Sequence, residues 1–164
     1  MTILPDILAP NLDIVFCGTA VGNVSAQRGA YYAGPGNMFW PTLHAVGLTP
    51  RRLQPEEYRD VLFFGLGLTD LVKSVSGVDT QLSDHHFDQD GLHATILRYE
   101  PKIVAFTSKR AGSEFLCRPV AYGVQSERVG ATALFVLPSP SGAARRWWDV
   151  TQRHELARLR EQLK

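Results

Sequence analysis

Four short apolar runs constrain the fold of this 164-residue chain more than any other feature. LDIVFC (12–17), GLGLTDLV (65–72), KIVAFTS (102–108) and TALFVLP (132–138) each hold a nearly unbroken series of aliphatic and aromatic residues. A strand with one wet face alternates apolar and polar residues, so an unbroken run is a strand covered on both faces. Between these runs lie segments with helical spacing. In NMFWPTLHAVG, Phe39, Leu43 and Val46 share a face, Pro41 suits a first turn and Gly47 is a stop. TPRRLQPEEYRDVLFF predicts a short helix from Pro55, with Glu56 and Glu57 at its positive end. FDQDGLHATILRYE predicts an amphipathic helix that turns Leu92, Ile96 and Tyr99 inward and ends before Pro101. KRAGSEFLC and the Arg-, Glu- and Leu-rich residues from about 147 to 162 predict two more. The pattern is α/β: a single domain over 1–164 with a short central parallel four-stranded sheet flanked by helices on both faces. Right-handed crossovers bring the strand carboxyl ends to one edge, where loops 18–25, 69–74, 107–110 and 138–146 meet.

Composition narrows the class of protein. The length suits one real core, and 45% hydrophobic with 20% charged residues is ordinary for a soluble globular chain. No apolar run approaches the ~20 residues of a membrane helix. MTILPDILAP lacks the basic start and apolar core of a signal peptide, so the expected location is the cytoplasm. Cys17 and Cys117 are too few for a disulfide framework and read as reduced, structural thiols. A net charge of +1 does not announce a nucleic-acid partner, but Arg51-Arg52, Lys109-Arg110 and Arg145-Arg146 fall at predicted loops or helix starts.

The loop after the first strand, Gly18-Thr19-Ala20-Val21-Gly22, occupies the usual place for chemistry but carries no strong acid, base or nucleophile. It is not a dinucleotide or Walker motif, since Val21 intervenes, no helix is expected at once and no GKS or GKT is present. Its glycines make either a plain turn or a backbone that approaches a ligand closely. SDHHFDQD offers Asp84, His85, His86, Asp88 and Asp90, but not at zinc spacings. A solvated loop with Asp88 as helix cap is expected there, and no metal. Ser141 lies in a turn rather than a nucleophile elbow. Asp70 differs: it ends an apolar strand, so it belongs at the mouth of a partly desolvated pocket. A carboxylate there activates water or stabilises a developing cation; the rival roles are a helix cap or a partner for Lys73. Tyr31 and Tyr32, ahead of a Gly-Pro-Gly turn, either stack on a planar base or fill the core.

FCGTAVGNVSA…YYAGPGNMFW, GLGLTDL and VLPSPSGAARR, taken in order and spacing, resemble the mismatch-specific uracil-DNA and thymine-DNA glycosylases of the uracil-DNA glycosylase superfamily, over about residues 7–160. The resemblance implies a DNA-repair hydrolase that flips a damaged or mispaired base from duplex DNA and cleaves its N-glycosidic bond. It implies a monomer that needs no cofactor and no membrane and works at the nucleoid. The family's first motif usually reads GINPG, whose Asn positions the attacking water. Ala20 stands at that position here, beside Gly18 and Thr19. Tyr32 matches the aromatic that stacks on the base, and Ser25 and Asn37 match pocket-side polar positions, Asn37 being equally suited to cap a helix. The last motif, usually NPSGLSR, fills the gap left by the flipped nucleotide. Its counterpart has Ser139 for Asn, retains Ser141 and Gly142, has Ala143 for the wedge Leu, and keeps Arg145, with Arg146 following. Lys109 begins a helix that suits a phosphate. The missing catalytic group is therefore assigned to Asp70. The missing Cys cluster argues against the iron–sulfur branches, and no lysine stands out as a Schiff-base nucleophile. The rival functions are a lesion-binding protein with little cleavage and an α/β hydrolase of free nucleosides.

Overall fold

The computed structural model describes residues 3–77 and 86–164. Its sheet has five strands: β1 (Ile14–Gly18), β2 (Leu66–Asp70), β3 (Ile103–Phe106), β4 (Gly123–Val129) and β5 (Thr132–Val136), in the order β2-β1-β3-β5-β4. All neighbours are parallel except the β4–β5 hairpin. The four apolar runs are β1, β2, β3 and β5, and each is buried along its whole length. The four-strand expectation missed β4, a polar edge strand whose residues alternate between half-covered and exposed. An edge strand covers one side weakly, and charged residues such as Glu127 and Arg128 protect it from pairing with other chains.

Strand alternation divides the core in two. Ile14, Phe16, Ile103, Ala105 and Phe135 face one layer; Val15, Cys17, Val104, Phe106 and Leu134 face the other. The first layer is covered by α2 (Phe39–Ala45), a kinked 3-10 stretch over Pro55–Phe64, and α5 (Thr151–Gln162), through Phe39, Trp40, Leu43, Val61 and Leu156. The second is covered by α3 (Gln89–Tyr99) and α4 (Lys109–Leu116), through Leu92, Ile96 and Ala111. Tyr99 is only half-buried. The side chain of Asp88 caps α3 by accepting from the Gly91 N–H. Asp84 and His85 lie outside the described residues.

Two further expectations are corrected. A helix does follow the glycine loop at once: α1 (Asn23–Arg28), with Gly22 at its N-cap and Gly29 closing it at φ +67°. It is short and mostly polar, so it left no apolar period to read. The last helix begins at Thr151 rather than near 147, because a 3-10 turn over Gly142–Trp147 precedes it. Of the two thiols, Cys17 is buried and Cys117 is exposed.

β1 runs on to β2 on one side, while β3 runs on towards β5 on the other. The chain thus reverses its winding between β1 and β3, which opens a crevice at their carboxyl ends. The ladder continues past the strands: Leu71 N–H donates to Gly18 O (3.0 Å), Val72 N–H to Thr19 O (2.7 Å) and Gly77 N–H to Val21 O (3.0 Å). The two loops therefore travel together around that crevice.

Candidate active site

The crevice holds a cavity of about 720 Å³, within the range of small-ligand sites. Four strand ends build it. From β1 come Gly18, Thr19 and Ala20, and from α1 comes Ser25. From β2 comes Asp70, from β3 come Thr107 and Ser108, and after β5 come Ser139, Ser141, Gly142 and Ala143. Tyr32 and Asn37 close the remaining side.

Asp70 is the centre of this arrangement. It is 6% exposed, and its Oδ2 has no hydrogen-bond partner among the described residues. Burial pushes its carboxyl pKa up to about 7; Lys73 opposes that shift and Asp6 adds to it. The rival structural roles do not fit the geometry: Lys73 pairs with Asp6, and Thr69 Oγ1 donates to the same Asp6 oxygen at 2.8 Å. Gly18 lies opposite Asp70 in the β1–β2 register, and a Cβ there would stand 2.8 Å from Asp70 Oδ1. The first glycine of the loop is thus needed for close approach, not only for a turn.

The Tyr32 backbone occupies the left-handed region at φ +52°, which costs a non-glycine residue about 1–2 kcal/mol. Its side chain compensates. The ring stacks on Phe39 with centroids 3.9 Å apart and planes 14° apart, and the hydroxyl donates to Thr107 Oγ1 at 3.3 Å. Tyr32 is therefore held as a rigid wall of the cavity, with Phe39 backing one face. Burial raises the pKa of the Tyr31 and Tyr32 phenols, so both stay neutral. Ser25 Oγ accepts from the Ala33 N–H at 2.9 Å and ties α1 to the tyrosine segment. Asn37 Oδ1 accepts from the Phe39 N–H at 2.9 Å, an Asx turn one residue ahead of Met38, which stands at the N-cap of α2 without a side-chain cap bond, so Asn37 does not cap that helix.

The loop after β5 is pinned to the Gly-Pro-Gly turn. Met38 N–H donates to Pro140 O at 2.8 Å, and Gly142 lies against Pro35 and Gly36. Ser141 Oγ accepts from the Ala143 N–H (3.2 Å), leaving Ala143 exposed at the rim. Beneath the loop, Arg153 is 1% exposed, donates from Nη1 to Pro138 O at 2.9 Å and lies over the Trp148 ring. Burial lowers its pKa to about 10, so it remains a cation at neutral pH.

Three of the residues picked out from sequence do not line the cavity. Lys109 is exposed, with Nζ 4.4 Å from the centroid of the Tyr122 ring, and Arg145 and Arg146 are exposed on the turn beyond the rim. Sequence reasoning passed over Thr107, Ser108 and Arg153. Thr107 carried the same signal as Asp70, a polar residue ending an apolar strand. Arg153 carried none, because an arginine in a charged helix reads as solvated.

A doubly wound sheet, a crevice at its switch point, an aromatic wall and one desolvated carboxylate define an α/β domain with a small-ligand site at its strand ends. Comparison with known proteins makes this specific. The description of the matching family is "Uracil DNA glycosylase superfamily", and its model covers residues 5–164, so the chain belongs to that superfamily. The fold is also similar to the solution NMR structure of a candidate uracil DNA glycosylase from Methanosarcina acetivorans. That likeness has a TM-score of 0.67 and 24% identity over 98% of this chain and 96% of the other.

Proposed function

We propose that the protein is a monofunctional DNA glycosylase that removes uracil from duplex DNA, with the G·U mismatch as its preferred context. The observation that carries this reading is Asp70: a buried carboxylate with an unpartnered oxygen, facing the crevice cavity in a chain of the uracil DNA glycosylase superfamily. Cleavage of the N-glycosidic bond sends the bonding electrons to the departing base and leaves positive charge on the sugar. Water then adds to that carbon and gives up a proton. A carboxylate in a desolvated pocket serves both needs, stabilising the cation and taking the proton from water. The Ala20 methyl at the usual Asn position does neither. Tyr32, fixed by Phe39 and Thr107, offers an aromatic wall to the extruded base. Ala143 at the rim is a small wedge and leaves room in the duplex gap.

The working form of Asp70 is the carboxylate, so base release rises as pH passes through about 7 and levels off above it. The test is release of uracil from duplexes carrying one G·U or one A·U pair, from the single strand and from free deoxyuridine, across pH 5.5–9. Release from G·U duplex ahead of the other substrates supports the reading. Tight duplex binding without release would favour a lesion-binding protein, to which the loss of Asn at Ala20 also points. Release only from the free nucleoside would make the protein a nucleoside hydrolase.

A further inference from the structure

The segment ahead of β1 is a strap across β2. Ile7 pairs with Leu68 through two 2.9 Å hydrogen bonds, Ile3 N–H donates to Lys73 O at 2.9 Å, and Tyr31 Oη donates to Pro5 O at 2.9 Å. Between these anchors Asp6 reaches the back of the active site, where one carboxylate oxygen accepts from Thr69 Oγ1 and pairs with the Lys73 ammonium. Thr69 immediately precedes Asp70, and Lys73 follows it by three residues.

We propose that Asp6 is a positioning residue for base release: it holds Lys73 on the strap side of β2, so that Asp70 meets the cavity without a cation partner. The inference rests on the reading of Asp70 as the reacting carboxylate. With Asp6 present, the Asp6–Lys73 pair is neutral and the cavity keeps the full negative charge of Asp70. Without Asp6, Lys73 is the cation best placed to turn towards Asp70, and a Lys73–Asp70 pair cancels the charge that a cationic sugar requires.

The other titratable groups facing Asp70 do not disturb this count. Cys17 on β1 and Tyr31 and Tyr32 on the segment after α1 are all held neutral by burial. Lys73 and Asp6 are the charged groups among the described residues whose fields reach Asp70. Both are partly solvated, their side chains 26% and 34% exposed, so the effect is a shift of about one pH unit rather than several.

The experiment uses the full chain and Asp6→Asn, which keeps the shape and an oxygen for Thr69. The pH dependence of single-turnover uracil release from a G·U duplex is measured beside a carbon-13 NMR titration of the Asp70 carboxyl. The expected result is that both midpoints move down by about one unit and the high-pH rate falls severalfold. Adding Lys73→Met to Asp6→Asn should move the midpoint back up, an outcome that a purely structural role for Asp6 would not give. Asp6→Ala with the same NMR titration provides a second reading should the Asn variant fold poorly. An Asp70 midpoint unmoved in the folded Asp6 variants overturns the inference, as does a shift that survives removal of Lys73. Asp70→Asn separates the two ideas. Full release by that variant discards the reading of Asp70 itself, whereas loss of release with no effect of Asp6→Asn discards only the role of Asp6.

Discussion

Asp70 has opposite consequences for stability and for chemistry. In the unfolded chain its carboxyl loses its proton near pH 4, as any exposed Asp does. In the folded chain burial holds the proton until about pH 7. Below both values the two states bind the proton equally and Asp70 is neutral to stability. As pH rises between them the unfolded state alone ionises, so folding becomes less favourable, and above 7 the penalty is constant on the order of 4 kcal/mol. Asp70→Asn should therefore be more stable than wild type in urea unfolding at pH 8, with the gain vanishing at pH 4. An Asn variant less stable at pH 8 would mean that the carboxylate has a structural partner. Gly18 gives a second prediction at this scale. Gly18→Ala places a methyl against Asp70 Oδ1, so single-turnover base release should fall about 10–100-fold through misplacement of the carboxylate. Thermal unfolding should show a smaller cost of about 1–3 kcal/mol from overpacking. The crevice position of Asp70 was legible in sequence because an acid that ends an apolar strand falls where the strand ends meet, although the same acid also reads as a helix cap or a partner for Lys73. The Tyr32 backbone strain was not, since nothing local in AYYAG demands a left-handed φ; stacking on Phe39 and the Thr107 contact impose it from outside.

Among the elements, legibility followed burial. β1, β3 and β5 lie inside the sheet and β2 at its strap-covered edge, and covering both faces of all four forces runs that can be read directly. β4 sits at the edge, α1 is short and polar, and the turn over Gly142–Trp147 owes its shape to contacts with a distant segment, so none left a periodic signal. That turn is the element on which duplex binding is expected to depend. A Cβ on Gly142 would overlap the Pro35 carbonyl oxygen, and backbone cannot swing aside as a side chain can. Gly142→Ala should unseat the loop from the Gly-Pro-Gly turn and weaken binding to a product-like abasic duplex about tenfold, or ~1.4 kcal/mol. Fluorescence anisotropy measures this, and unchanged affinity would show that the loop does not touch DNA.

The whole molecule is a scaffold that brings four strand ends to one crevice. The order β2-β1-β3-β5-β4 places the β1 and β3 ends at the switch point, with β2 supplying Asp70 from one side and β5 the serine-glycine loop from the other. Residues 70 and 139 are far apart in sequence, so their meeting was legible only through the handedness of the crossovers, which predicted a shared edge. What the crossovers could not predict was the strap ahead of β1, since residues 3–8 carry no strand pattern and acquire their place by pairing with β2. With a net charge of only +1, the molecule does not draw DNA by bulk charge, and its proposed reaction depends on the chemistry of this one crevice. The most direct measurement is single-turnover release of uracil from a G·U duplex at pH 8 in EDTA, wild type against Asp70→Asn. The role of Asp70 as reacting carboxylate predicts release by the wild type and a loss of at least about 100-fold in the variant, within the range of a positioned general base. Equal release by a folded Asp70→Asn protein would contradict it and leave the Gly18–Gly22 backbone and Ser139 to explain the reaction.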